Sequence, residues 1–143
     1  MSTGYAGSFV EKSRNSSAGK VLIVEEDAIL LADYALILEH EGYEVKACAS
    51  YSDGAQSLES TVFSCVLLSQ GSQAFEGQGV LKRAIEIDRK TPVVVITRSI
   101  TMHCYLDAMQ WGAVDYVARP QASAEIREIV KAHLRPLARG AVA

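Results

Sequence analysis

The sequence lacks several features that would place it in a common functional class. It has no apolar run approaching the roughly 18 to 20 residues of a membrane-spanning helix, and residues 1–20 contain no continuous apolar segment typical of a signal peptide. Its net charge of −3 lacks the positive excess expected of a protein that binds nucleic-acid phosphates or an anionic membrane. We therefore expect a cytoplasmic protein without direct membrane or nucleic-acid contacts.

Cysteine is also scarce, and neither the cysteines nor the histidines are spaced as metal ligands. There is no CxxC pair, and the odd number of cysteines does not indicate a disulfide framework. The cysteines are Cys48, Cys65 and Cys104. The histidines, which we interpret as surface or packing residues of predicted helices, are His40, His103 and His133. The sequence therefore predicts neither a zinc site nor a disulfide scaffold.

What the sequence does contain is a regular alternation of two hydrophobic patterns. From Lys20 onward, short continuous apolar runs alternate with longer segments of helical period. This alternation is typical of repeated βα units around a parallel sheet that helices cover on both faces. With 143 residues and 49% hydrophobic content, the chain suits one compact domain. We assign this domain to residues 20–137, a disordered N-terminal tail to residues 1–19 and a C-terminal tail to residues 138–143.

Five strands are predicted from the apolar runs. Residues 21–24, 65–68 and 93–96 are continuous apolar segments, as in strands buried on both faces. Residues 43–47 alternate apolar and charged side chains, as in a strand with one wetter face, and residues 116–118 form a short fifth strand. Right-handed crossovers give a flavodoxin-like, doubly wound parallel sheet of order 2-1-3-4-5. Its functional crevice would lie beyond the carboxyl ends of the strands.

Five helices are predicted between and after these strands. The first is capped by Asp27, ends at Gly42 and carries an apolar stripe that repeats every three to four residues. That stripe is Leu31, Ala35 and Leu38. The other four helices are predicted at residues 52–59, 80–87, 102–111 and 122–137, and a polar loop at residues 70–78 precedes the third helix.

The polar residues that follow the strands form the candidate site. Because the carboxyl ends of parallel strands meet at one edge of the sheet, the residues just beyond them should converge. These residues are Glu25 and Glu26 after the first strand, Ser69 after the third, Thr97 and Arg98 after the fourth, and Arg119 after the fifth. Taken alone, an acidic pair there has a simpler interpretation as helix N-terminal charge. Taken together, the residues indicate a polar pocket.

This constellation resembles the receiver domain of two-component response regulators. The resemblance rests on VLIVEED at the first strand, the apolar strand before Ser69, PVVVIT at the fourth strand and AMQWGAVDYVARP around the fifth. It covers residues 20–137. In that family an acidic pair binds Mg²⁺ together with an aspartate, and this aspartate accepts a phosphoryl group. A Thr or Ser and a Lys-Pro pair hold the phosphoryl group, and an aromatic residue before the lysine changes rotamer on activation.

Matched position by position, the resemblance implies a role for each pocket residue. Glu25 and Glu26 take the place of the acidic pair, Ser69 of the phosphoacceptor, Thr97 of the hydroxyl residue, Tyr116 of the aromatic switch and Arg119-Pro120 of the Lys-Pro pair. An alcohol cannot form an acyl phosphate, so Ser69 removes the family's phosphorylation chemistry. Tyr116 also has a second interpretation, as a buried core tyrosine with a satisfied hydroxyl.

The same departures alter the expected metal site. Each glutamate adds a methylene relative to aspartate, Ser69 removes a ligand charge, and Mg²⁺ tolerates little distortion of its octahedral shell. We therefore expect weak or absent Mg²⁺ binding at Glu25 and Glu26, and no other cofactor. Our hypothesis is that Arg119, with Arg98 beside it, pairs directly with these glutamates and locks the pocket in one state.

The resemblance thus implies an atypical receiver, or pseudo-receiver, that acts in two-component signal transduction or a phosphorelay through protein contact and without phosphorylation. We expect it to have no catalytic residue. Its partner would be a histidine kinase, another receiver or a downstream regulator. The expected surface is the face built from the fourth helix, fifth strand and fifth helix, where Tyr105, Met109 and Trp111 are candidate contacts. A homodimer through this face is a further expectation.

Other interpretations stay open. Glu76, in the loop after the third strand, would be the nearest carboxylate for a receiver that uses another phosphoacceptor. Ser69 would also be a target for a separate serine kinase. A hydrolase nucleophile is disfavoured because LSQGS lacks the G-x-S-x-G spacing. Finally, the chain would be the receiver of a longer regulator if RPLARGAVA begins a linker to a DNA-binding or catalytic output domain.

Overall fold

The fold was obtained as a computed structural model that describes residues 18–137. The predicted tails lie outside the described residues, except for Ala18 and Gly19, which bond to the residues that lead into the second strand. Within the described range, strands and helices alternate along the chain. In order they are β1 Lys20–Val24, α1 Ala28–His40, β2 Glu44–Cys48, α2 Tyr51–Ser60, β3 Cys65–Ser69, α3 Gln78–Ile87, β4 Val93–Thr97, α4 Met102–Gln110, β5 Asp115–Ala118 and α5 Ser123–His133.

The strands form one parallel sheet of order β2-β1-β3-β4-β5, which confirms the predicted flavodoxin-like topology. The register pairs Val24 with Leu68, and Ser69 with Ile96. It also pairs Thr97 with Ala118. All strands therefore end at the same edge, and the residues that follow them emerge side by side.

The sheet separates two hydrophobic cores. Successive side chains of a strand point to opposite faces, so Leu22 and Val66 pack in the core that includes α2, α3 and α4, whereas Val21 and Cys65 pack in the core that includes α1 and α5. Residues 21–24 are all at most 1% exposed. This double burial explains why the central strands are continuous apolar runs with no polar face.

The helix ends follow local signals, with one difference from prediction. As predicted, Asp27 caps α1 by accepting the backbone N–H groups of Ile29 and Leu30. The last helix ends at His133 and does not reach residue 137, because the residue before Pro136 is sterically driven out of the helical region. Leu134, which follows the helix, has extended backbone angles.

The guanidinium of Arg135, two residues after α5, bonds to the loop that precedes β3 and to the residue that follows α3. It donates to the carbonyl oxygen of Phe63 at 3.2 and 3.3 Å and pairs with the carboxylate of Asp88 at 2.9 Å. The backbone N–H of Arg135 also donates to the carbonyl oxygen of Ser64. The segment that follows α5 is therefore held against the loop that precedes β3.

The cysteines and histidines behave as packing or surface residues in the described chain. All three cysteines are free and buried, and burial raises the pKa of the Cys65 thiol to about 12. His133 lies 3.0 Å from a carboxylate oxygen of Asp115, and His103 is exposed. Among residues 18–137, no helix has both the length and the hydropathy needed to cross a membrane.

Two leucines of α1, Leu38 and Leu36, test how strongly core packing determines stability. We expect Leu38→Ala to lower the free energy of unfolding by about 2 to 5 kcal/mol, because Leu38 is fully buried and its loss leaves a cavity. Leu36→Ala is the matched control on the same helix. Leu36 is 58% exposed, so its replacement should change stability by only about 0.5 kcal/mol. Urea unfolding of both variants measures the difference, and equal costs would contradict this description of the core.

Candidate functional site

The carboxyl edge of the sheet holds a cavity of about 460 Å³. The six residues predicted to converge there all line it, namely Glu25, Glu26, Ser69, Thr97, Arg98 and Arg119. The loop between β3 and α3 supplies most of the remaining lining, including Gln70, Ser72 and Glu76. The convergence predicted from strand order is therefore present in the folded chain.

The acidic pair divides into one buried and one exposed carboxylate. Glu25 is 7% exposed, and its Oε2 accepts the backbone N–H of Asp27 at 2.9 Å. Glu26 is exposed at the rim. Glu25 is thus partly committed to the turn that begins α1, as the interpretation of these acids as helix N-terminal residues predicts, while both glutamates still border the cavity.

Ser69 is half-buried at the end of β3, and its surroundings are polar. The hydroxyl of Tyr51 donates to the backbone carbonyl oxygen of Ser69 at 3.1 Å, and burial raises the pKa of Tyr51. A serine at this position presents an alcohol to the cavity, where it offers hydrogen bonding but no anionic oxygen.

Hydrogen bonds between Ser72 and the carboxylate of Glu76, here called the Glu76 brace, stabilise the loop after Ser69. The carboxylate of Glu76 accepts the backbone N–H of Ser72 at 2.6 Å and the Ser72 hydroxyl at 2.7 and 2.9 Å. These hydrogen bonds, led by the one from the hydroxyl, hold the pKa of Glu76 below its ordinary value. The carboxylate considered as an alternative phosphoacceptor is therefore already engaged within its own loop.

Thr97 is buried and also uses its hydroxyl locally. Its Oγ1 donates to the carbonyl oxygen of Ser99 at 2.9 Å and accepts the N–H of Ser99 at 3.1 Å. The Thr97 hydroxyl is thus both a donor and an acceptor within the turn that leads into α4. Thr97 is not hydrogen-bonded to Tyr116 in this arrangement.

The ion pair expected between the arginines and the glutamates is not present. Within residues 18–137, no ion pair of 4.0 Å or less joins Arg98 or Arg119 to Glu25 or Glu26. Arg98 is exposed, where an ion pair adds little stability, and Arg119 is half-buried. No ion pair between these arginines and glutamates therefore closes the cavity.

The donor set of this cavity is a poor match for Mg²⁺. Among the described residues, no group of three or more histidine, cysteine, aspartate or glutamate side chains is arranged to hold a metal ion. One oxygen of Glu25 is already occupied by a backbone N–H, and Ser69 contributes no charge. The lining holds four carboxylates, but those of Glu25, Asp27 and Glu76 already accept hydrogen bonds from the chain, whereas Mg²⁺ requires several free oxygens in near-octahedral geometry.

Tyr116 lies beside the cavity and not in its lining. It is 6% exposed, and its hydroxyl donates to Oε1 of Gln70 at 2.6 Å. Its ring also makes an edge contact with Tyr105 of α4, with centroids 5.9 Å apart. Tyr116 therefore has the burial and the satisfied hydroxyl that the packing interpretation predicts.

Gln70 is the residue that sequence reasoning missed. It was predicted only as the start of a polar loop, yet it is 1% exposed. Its Nε2 donates to the carbonyl oxygen of Ser72 at 3.0 Å while its Oε1 accepts from Tyr116. A polar residue after a strand carries no periodic signal of burial, and the available hint was only its position two residues after Leu68, on the same face of the strand.

A second surface feature lies on α4. Four apolar side chains at positions i, i+3, i+4 and i+7 form an exposed stripe, here called the α4 patch. They are Met102, Tyr105, Leu106 and Met109, which are 68%, 40%, 54% and 36% exposed. Trp111 follows at the end of the helix, where the Lys82 ammonium lies 4.0 Å from its ring centroid. A contiguous exposed apolar stripe of this kind is a candidate contact surface.

A doubly wound parallel sheet with a polar cavity beyond β1, β3, β4 and β5 defines a receiver-type signalling domain. Comparison with known proteins agrees: the family model for the response regulator receiver domain matches residues 21–131. The chain belongs to this family.

Individual relatives give the same result. The chain is 32% identical over 116 residues to the transcriptional regulatory protein BasR of Escherichia coli (strain K12), covering 81% of this chain and 52% of that protein. It is 31% identical over 117 residues to the uncharacterized transcriptional regulatory protein YkoG of Bacillus subtilis (strain 168), covering 82% and 51%. The chain thus spans about half the length of these relatives.

A solved structure supports the fold. The CheY-like response regulator receiver domain protein from Methanospirillum hungatei JF-1 superposes with a TM-score of 0.75 at 26% identity. The match covers 81% of this chain and 93% of that one. The architecture is therefore that of the receiver family over nearly the whole described domain.

The Glu76 brace should be visible in a pH titration. Because its pKa is lower in the folded state, the carboxylate contributes stability that is present above the unfolded pKa and is lost as pH falls through the folded pKa. An NMR titration of the Glu76 carboxyl should give a midpoint below that of an unperturbed glutamate, and Ser72→Ala should raise it. Ser99→Ala, which alters the same cavity without touching Glu76, is the control. An unchanged midpoint in Ser72→Ala would refute the brace.

Proposed function

We propose that this chain is a receiver domain that signals through protein contact and does not accept a phosphoryl group. The observation that carries the proposal is the hydroxyl of Ser69 at the end of β3, where a receiver needs a carboxylate to form an acyl phosphate. The proposal assigns no catalytic residue to the chain. Its role would be that of a binding module within a two-component pathway.

The environment of Ser69 supports this proposal in two further ways. The nearest carboxylate in the following loop, Glu76, is held by Ser72, so it is poorly placed to act as a substitute acceptor. Among the described residues, no three carboxylates of the cavity are grouped so that they could hold a metal ion together. We therefore propose that Mg²⁺ binds weakly or not at all, with Glu25 and Glu26 as the residues that would contact it.

The α4 patch is the surface that we propose for the partner. It is the stripe of exposed apolar side chains defined above, it is contiguous with Tyr116 through Tyr105, and it includes two of the residues predicted as contacts. The partner would be a histidine kinase, another receiver, including a second copy of this chain, or a downstream regulator. In each case apolar burial would supply most of the binding free energy.

A second candidate function is that of the receiver part of a longer regulator. It is favoured by the relatives, which are named transcriptional regulatory proteins and are about twice the length matched here. In that case the α4 patch would contact an output domain or a second receiver. Immunoblotting of the native gene product distinguishes the two candidates, because the second requires a polypeptide well above 15.5 kDa.

Incubation with acetyl phosphate tests the central proposal. We expect intact mass spectrometry to show no phosphoryl adduct on the wild-type chain, with or without Mg²⁺, because the pocket has no acceptor carboxylate. Ser69→Asp restores the carboxylate and serves as the matched control for donor reactivity. A stoichiometric, Mg²⁺-dependent, base-labile adduct on the wild-type chain would overturn the proposal. A dissociation constant for Mg²⁺ in the millimolar range or lower, which means tighter binding, would also contradict it.

Paired leucine variants test the proposed partner surface. We expect Leu106→Ser to abolish capture of the partner from native lysate, and to abolish any self-association seen by sedimentation, because it places a polar group in the α4 patch. Leu36→Ser is the control, since Leu36 on α1 is similarly exposed, 58% against 54%. Equal loss in both variants, or equal retention, would show that the α4 patch is not the contact surface.

A further inference from the structure

We propose that Gln70 is a built-in lock that holds Tyr116 in its buried position and couples the β3–α3 loop to α4 without a phosphoryl group. The inference deepens the proposed function, because it names what keeps the α4 patch in one shape. The lock itself is a property of the folded chain, so its test does not depend on whether the chain is phosphorylated.

The first step of the argument is that both ends of the Gln70 amide are used. Oε1 accepts from the Tyr116 hydroxyl at 2.6 Å, and Nε2 donates to the carbonyl oxygen of Ser72 at 3.0 Å. Gln70 is 1% exposed, so water cannot replace either partner easily. Outward rotation of Tyr116 would leave a buried carbonyl oxygen without a donor, which is unfavourable.

The second step is that Gln70 belongs to a tightly restrained loop. Its backbone N–H donates to the carbonyl oxygen of Ile96, and its own carbonyl oxygen accepts the N–H of Gly77. Phe75 in the same loop is 4% exposed and adopts the left-handed region with φ of 56°. A bulky side chain persists there only when its surroundings hold it in place. The acceptor for Tyr116 is therefore carried by a buried residue whose backbone N–H and carbonyl oxygen are both hydrogen-bonded.

The third step is that Thr97 does not hold Tyr116. The Thr97 hydroxyl is used by the backbone of Ser99, in both of its hydrogen-bonding roles. The described polar contacts of the Tyr116 hydroxyl are Gln70 and a longer one, at 3.4 Å, from the N–H of Thr101. The glutamine directly after Ser69 thus provides the strong contact.

The last step connects the lock to α4. Thr101 caps that helix, and Tyr105 on its first turn packs edge-on against the Tyr116 ring. The thiol of Cys104 also donates weakly to the carbonyl oxygen of Gln73 in the restrained loop, at 3.6 Å. A buried Tyr116 therefore fixes the start of α4 and with it the α4 patch. Because Gln70 also lines the cavity, any occupant that displaced its amide would release the helix.

Hydrogen exchange and ring NMR of Gln70→Met test the lock. Methionine keeps the length of the side chain but removes both hydrogen bonds. We expect the amides of α4 to exchange about tenfold faster, which corresponds to about 1.4 kcal/mol, and the Tyr116 ring to become solvent-exposed. Gln73→Met, which alters an exposed glutamine of the same loop, should leave both readouts at wild-type values.

Tyr116→Phe separates the lock from a general packing defect. It keeps the ring and removes the hydroxyl, so it should also speed exchange in α4, and adding Gln70→Met should cause little further change. If Gln70→Met does not fold, Tyr116→Phe alone decides the question. Wild-type exchange rates in α4 for either folded variant, or additive effects in the double variant, would overturn the lock. If the variants speed hydrogen exchange in α4 as expected but acetyl phosphate also phosphorylates the wild-type protein, only the proposed function is overturned and the lock stands.

Discussion

The parallel register of the buried central strands is the constraint on which the rest of this domain depends. β1, β3 and β4 lie between two layers of helices, and a slip of one residue would turn each apolar side chain toward the wrong core. The register places Ser69 beside Ile96 and Thr97 beside Ala118. A polar cavity at the carboxyl edge is therefore a geometric consequence of hydrophobic packing deeper in the sheet.

Within this frame the polar cavity lies where strand order predicts it, while its contacts differ from those that the resemblance to receivers implies. Ser69 offers a hydroxyl, Thr97 is hydrogen-bonded within its own turn, and within residues 18–137 the two arginines lining the cavity form no ion pair with Glu25 or Glu26. A short hydrogen bond beside the pocket is buried, between Gln70 and Tyr116 at 2.6 Å. Hydrogen bonds within the chain, and not ion pairs between the arginines and the glutamates, order this part of the molecule.

The sequence predicted the secondary-structure elements and the residues that meet at the strand ends better than it predicted which side chains bond to one another. Strand order and the six cavity residues followed from apolar runs and from the residues after them, since burial periodicity and crossover handedness are local and general rules. The end of α5 at His133 was missed although Pro136 was a visible signal. The pairing of Arg119 with the glutamates was expected from charge alone, and charge does not specify distance. Gln70 was missed because nothing in its neighbours in sequence marks it as buried.

The sequence by itself determined the doubly wound parallel sheet and the convergence of Glu25, Glu26, Ser69, Thr97 and Arg119 at its strand ends. Those results depend on residue type and on hydrophobic period, which are local properties of the chain. Only the tertiary structure decided which polar groups meet, because Gln70 and Tyr116 are 46 residues apart and become partners through the packing of β3, β4 and β5. Hydrogen bonds depend on distances of a few tenths of an ångström, and a pattern of residue types does not contain such distances.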